Sequence, residues 1–199
     1  MDLGQRRDHS AIAVVERRHG GVERLVRSVV RVPLGTPYPL VVERVRDTVQ
    51  HDALWGQCAL VVDATGVGAP VVEMLRAAQL GCELCAVTIT GGDQQLASGQ
   101  ASGRIGGMPR YSVPKRDLMT GVQVLLERGD LRLARRMPGV GSLLRELRDM
   151  RVEVTGPGRF RMGAEGAGQH GDLVVALALA CWRAGRLQIG FGPERLPGC

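Results

Sequence analysis

Two periodicities alternate along the chain. Ser10–Glu16 (SAIAVVE) is small and β-branched, and Val22–Pro33 has the same character, so both read as strands. Gly20-Gly21 between them supplies a hairpin turn. Over Pro37–Gln50 the period changes: Leu40, Val41, Val45 and Val49 recur at helical spacing. Cys58–Asp63 (CALVVD) is a continuous apolar run ending on an acid, the pattern of a central strand buried on both faces. Gly66 and Gly68 break the chain, Ala69–Gln79 reads as a helix, and Leu84–Thr90 is the next buried strand. Strand, helix, strand predicts a βαβ unit, hence an α/β fold with a partly parallel sheet.

The second half is less regular. Gly91–Arg110, rich in Gly, Ser and Gln, reads as a long surface loop. Pro114 suits the first turn of a helix over Lys115–Arg128 that stops at Gly129. Leu131–Ala134 reads as a short strand and Gly141–Met150 as a helix. Val152–Thr155 and Arg159–Met162 form a hairpin pattern across Gly156-Pro157-Gly158, and Gly163–Gln169 is a second glycine-rich loop. Asp172–Ala184 is a strongly apolar helix. Met74, Met119 and Met150 fall at helical core positions. The expectation is one domain over 1–184 and a Gly/Pro-containing tail over 185–199.

Composition narrows the function classes. With 199 residues, 44% of them hydrophobic, the chain can bury a core without disulfide staples. No apolar run reaches the roughly 18 residues of a membrane span, and MDLGQRRDHS has no apolar signal core. A cytoplasmic protein is expected. Basic residues outnumber acidic ones 26 to 20, and Lys115 is the single lysine. An arginine-rich surface suits phosphate, although codon bias yields the same composition. Aromatic content of 3% argues against stacking platforms for single strands. Cys82 and Cys85 form a lone C-x-x-C with no second pair, so they read as strand thiols, not a zinc site.

Three aspartates stand out. Asp2 opens the chain, Asp63 ends a buried strand, and Asp172 opens a buried helix. Carboxylates at the ends of apolar elements are costly unless solvated, paired or metal-bound. Strand ends of an open α/β sheet converge on a ligand crevice. Three such acids suit hard Mg²⁺ or Mn²⁺ in a two-metal site. Each also has a plainer reading: Asp172 as a helix N-cap, Asp63 as a turn cap, Asp2 as a frayed end. VVDATGVG lacks the third glycine of a dinucleotide fingerprint, and no G-x-x-x-x-G-K-[ST] exists, so no ATPase motor is encoded.

In order, DLGQRRDHSAIAVV, VVDATGVGAPVVEML, VTITGG, VPKRDL and HGDLVVALALACW resemble the nuclease domain of phage terminase large subunits, from Asp2 to about Trp182. The resemblance implies an RNase H-like fold, a central mixed β-sheet flanked by helices. It implies a metal-dependent endonuclease that cleaves double-stranded DNA during genome packaging in the bacterial host cytoplasm. Its cofactors would be two Mg²⁺ or Mn²⁺ ions. Its partners would be an ATPase domain or subunit, the portal and the small terminase subunit. By motif, Asp2, Asp63 and Asp172 are the catalytic metal ligands and Asp8 an auxiliary acid. The chain departs from the family at His170-Gly171-Asp172, where glycine replaces one of two adjacent acids. The apolar residues that lead into the family's first strand do not precede Asp2.

Lys115, Arg116, Arg104 and Arg110 are candidate DNA contacts, the first two where a helix N-terminus also favours phosphate. Arg135-Arg136 reads as a solvated face. His170 reads as a structural histidine or a proton shuttle. Two alternatives stand beside the packaging nuclease. One is an inactive DNA-binding or packaging-assembly module; the other is a resolvase or RNase H-type nuclease.

Overall fold

The computed structural model describes residues 1–4, 8–18, 21–66, 68–91, 101–105, 108–156, 159–164 and 171–186. In chain order the elements are β1 (Ala11–Arg17), β2 (Arg24–Arg31), α1 (Tyr38–Val49), β3 (Ala59–Asp63) and α2 (Gly68–Ala77). Then come β4 (Glu83–Thr90), β5 (Ala101–Ile105), β6 (Met108–Pro114), α3 (Lys115–Glu127) and β7 (Leu131–Leu133). Last are α4 (Val140–Asp149), β8 (Met150–Gly156), β9 (Arg159–Ala164) and α5 (Asp172–Arg186).

β1 and β2 pair antiparallel, and β7 joins β2 in parallel. A second sheet has the order β3-β4-β6-β5. β3, β4 and β6 run parallel there, as the βαβ pattern predicts, and β5 closes the edge antiparallel to β6. β8 and β9 form a separate hairpin. Met1 and Asp2 join the two larger sheets. Asp2 exchanges both backbone hydrogen bonds with Ala11, at 2.9 and 3.0 Å. On its other side Met1 N donates to Val61 O at 2.8 Å, and Asp63 N donates to Met1 O at 3.0 Å. That is antiparallel pairing with β1 and parallel pairing with β3, in a bridge two residues long.

Helices cover both faces. α5 lies across β1 and β3, and its Leu173, Val174, Leu177 and Cys181 share a core with Ala11, Val61, Val87 and Val113. α1 and α2 cover the other face through Val41, Val45, Val71 and Leu75, packed with Leu60, Val62 and Ala86. Alternation along β3 explains the split: Val61 faces α5, and Leu60 and Val62 face away. In β2 the alternation is broken by a bulge. Val14 pairs Ser28 and Val15 pairs Val26, which leaves Arg27 opposite no residue of β1. The extra residue puts both Val26 and Val29 in the α5 core.

Two glycines are fixed by crowding. A side chain on Gly4 would collide with the backbone of Asp8 and His9. Gly139 starts α4 at φ +80°, and a Cβ there would stand 2.8 Å from the Val29 carbonyl oxygen.

The structure corrects the sequence reading in four places. Gly91–Arg110 is not all loop: β5 and the start of β6 lie in it. Edge pairing is made by the backbone, so it leaves no apolar pattern to read. Pro114 is the last residue of β6 and the N-cap of α3, one place earlier than expected. Met150 begins β8 and caps α4, so it is not a helical core position. α5 continues through Gly185 and Arg186, two residues into the expected tail. Residues 187–199, and 165–170 of the second glycine-rich loop, lie outside the described residues. Among the described residues, no helix is long and apolar enough to cross a membrane.

Candidate active site

Three elements end together. Asp63 is the last residue of β3, and its amide binds Met1, so Asp2 lies beside it. Asp63 shares the face of Val61, the face that α5 covers, and α5 begins at Asp172. The three acids sense one another. Burial, then the like charges of Asp63 and Asp172, raise Asp2 from 3.8 to about 7. The Met1 ammonium, itself lowered to about 6 by burial, pulls the other way.

Asp63 is oriented by its own turn. Its Oδ1 accepts the Thr65 amide at 2.8 Å, and Thr65 Oγ1 accepts the Ile89 amide at 2.8 Å. Ala64 N donates to Val87 O at 2.7 Å, fastening the turn to β4. The plain turn-cap reading of Asp63 therefore holds, and it places the carboxylate at the strand end. The frayed-end reading of Asp2 does not, since its backbone is paired on one side and follows the buried Met1.

Asp172 is not the N-cap of α5; it is the first residue of the helix. The capping group comes from α4. Glu146 Oε2 accepts the amides of Leu173 and Val174 at 3.0 and 3.1 Å. Its Oε1 accepts from Arg31, whose Nε lies 3.8 Å from Asp172 Oδ2. Burial raises Glu146, against the pull of Arg31 and of the two amides. Sequence reading missed both Glu146 and Arg31. The available signal was position: Glu146 lies three residues after buried Leu143 and one before Leu147, inside the apolar stripe of α4.

The other candidates scatter. Lys115 and Arg116 open α3 just after β6. Because β3, β4 and β6 are parallel, these residues leave the sheet at the edge where Asp63 ends, two strands away. Lys115 is half-buried and Arg116 exposed. Arg110 is in register with Ala86, and Ala86 with Val62, so it occupies the opposite face from Asp63. Arg104 sits in edge strand β5, paired with Pro109. Exposed Asp8 lines a cleft of about 320 Å³ with Ser10, Pro33, Thr36 and Tyr38, and none of the three acids lines it. Nor is Asp8 among the charges acting on Asp2. Arg135 and Arg136 are exposed in the turn after β7. His170 lies outside the described residues.

The donor chemistry fits a hard divalent cation: carboxylate oxygens, crowded enough to disfavour ionisation of Asp2. Among the described residues, however, no three His, Cys, Asp or Glu side chains stand close enough to enclose an ion. The acids are neighbours in the fold without enclosing a site.

No family model and no curated protein matches the chain. Solved structures do. The large terminase nuclease of thermophilic phage G20c is similar with a TM-score of 0.60 at 23% identity, over 90% of this chain and 77% of that one. The same nuclease with bound magnesium gives 0.55 at 21%, over 90% and 84%. A mutant nuclease domain of the large terminase subunit of bacterial virus Sf6, with manganese, gives 0.57 at 14%, over 88% and 89%. The chain thus has the fold of these large terminase nuclease domains, the RNase H-like α/β fold expected from its sequence.

Proposed function

We propose that this chain is a divalent-metal-dependent endonuclease acting on double-stranded DNA in phage genome packaging. The observation that carries the reading is the meeting of Asp2, Asp63 and Asp172 at one edge of the sheet, where Asp63 and Asp172 raise the cost of ionising the buried Asp2. In this reading Asp2, Asp63 and Asp172 would hold two Mg²⁺ or Mn²⁺ ions. When bound, such ions neutralise charge at the scissile phosphate and lower the pKa of water. The protein's own contribution is placement. Thr65 orients Asp63, the Ala11 pairing fixes the backbone of Asp2, and Glu146 holds the first turn of α5 under Asp172. Lys115 and Arg116 grip the DNA backbone from the same sheet edge. Such contacts carry no base information, so cutting is sequence-tolerant. An ATPase domain or subunit, the portal and the small terminase subunit are the partners this reading implies.

One observation favours the second reading, an inactive DNA-binding or assembly module. Arg31 already lies 3.8 Å from Asp172, and Gly171 stands where the resemblance expects a further acid. Relaxation of supercoiled plasmid with Mn²⁺ separates the two. The nuclease reading expects cutting by the parent chain and none by Asp63→Ala. Salt-sensitive DNA binding by a folded parent, without cutting, would establish the module instead.

A further inference from the structure

At the opposite end of β3 from the acids, two thiols meet. Ala59 pairs with Glu83 in parallel register, so Cys58 and Cys82 stand side by side immediately before the paired residues. Each thiol bears on the ionisation of the other. Both are half-buried and pack against the α1–α2 core with Leu84. Neighbouring positions on adjacent strands lie about 5 Å apart, inside the Cα range of a disulfide.

Alternation along the strand excludes the pairing that the sequence suggests. Cys82 belongs with Leu84 and Ala86 on the α1–α2 face, and Cys85 lies on the α5 face and is fully buried. The C-x-x-C is therefore split across the sheet, and Cys58 is the neighbour of Cys82. Access is partial. Trp55 lies over Gly81, with ring carbons 3.2 Å from where a Cβ on that glycine would stand, and it is itself exposed.

We infer that Cys58 and Cys82 are a dithiol modification site, closed to an intramolecular disulfide by a small-molecule disulfide such as oxidised glutathione. The thiolate of one cysteine attacks a sulfur of the oxidant, forms a mixed disulfide and releases one thiolate, which takes up a proton. The second cysteine, deprotonated, attacks the protein sulfur of that mixed disulfide and releases the second thiol. One Sγ–Sγ bond forms, the S–S bond of the oxidant breaks, and two electrons and two protons pass to the two released thiols. Burial raises both thiols, Cys82 to about 11, so closure is slow at neutral pH and accelerates in alkali. The product staples the start of β3 to the start of β4. This inference does not depend on the nuclease reading.

The test is oxidation of the reduced, folded chain with oxidised glutathione, followed by non-reducing peptide mapping and thermal melting. A Cys58–Cys82 cross-link two hydrogens lighter is expected, with Tm raised on the order of 5 °C. Cys58→Ser and Cys82→Ser should each lose both signals, and Cys85→Ser should keep them. A Cys82–Cys85 cross-link would overturn the inference. So would glutathione held on either cysteine without closure, or no oxidation of the folded chain.

Discussion

The two ends of β3 crowd ionisable groups in opposite ways. At the C-terminal end Asp63 meets Asp2 and Asp172, and burial with like charge raises Asp2 to about 7. At the N-terminal end Cys58 meets Cys82, and burial raises both thiols. Thiols pushed upward stay protonated and uncharged, and they react only when a proton leaves. Asp2, raised to about 7, is partly charged near neutral pH, and Arg31 stands beside Asp172. The acidic end therefore asks for a positive ligand, and the thiol end stays neutral until an oxidant meets it.

The largest way to break this contrast is through the group that holds the acidic end together. Glu146→Ala strips the acceptor from two α5 amides and leaves Arg31 without its carboxylate. The expected cost is about 3 kcal/mol in urea unfolding, with Glu146→Gln recovering part of it. A change below measurement error would mean that α5 is fixed by its apolar face alone.

Asp2→Asn probes the charge itself. The folded value lies above the unfolded one, so the parent should lose stability as pH rises from about 4 to 7. Asn does not titrate, so the variant should match the parent near pH 4 and exceed it by a few kcal/mol near pH 8. The Met1 ammonium, lowered to about 6, adds an opposite slope between 6 and 8, and removing the Asp2 charge lowers it further. Mn²⁺ should stabilise the parent more than the variant at pH 8. Parallel pH curves for the two proteins would show that Asp2 is not crowded.

The smallest effect belongs to the thiol end. Under reducing conditions Cys58→Ser should change stability by less than about 1 kcal/mol, with no pH dependence below pH 8. A large loss there would make the thiol pair as demanding as the acids and erase the contrast.

Much of this was legible in the sequence. CALVVD announced a buried strand ending in an acid, and HGDLVVALALA announced the apolar helix whose first residue, like that acid, acts on Asp2. The convergence of Asp2, Asp63 and Asp172 follows from three element ends in a parallel arrangement. What stayed hidden depends on distant pairing. β5 and β6 are made by backbone bonds that leave no apolar rhythm. Glu146 acts on a helix 26 residues downstream, and Cys82 meets Cys58 and not Cys85 because of strand register. Asp8, taken from the motif, lines a separate cleft, and Arg110, read as a loop contact, stands in β6 on the opposite face from Asp63.

The two-residue seam at Met1–Asp2 has a mechanical consequence. Among the described residues, Met1 and Asp2 join the two sheets by backbone bonds, and α5 packs on both β1 and β3. The amide protons of Asp2, Ala11 and Asp63 close the seam, and their exchange with solvent deuterium measures how often it opens. An ion gripped by both Asp2 and Asp63 would rivet it shut. Those three amides would then slow in step with occupancy, so that loading the site and stiffening the whole sheet become one event.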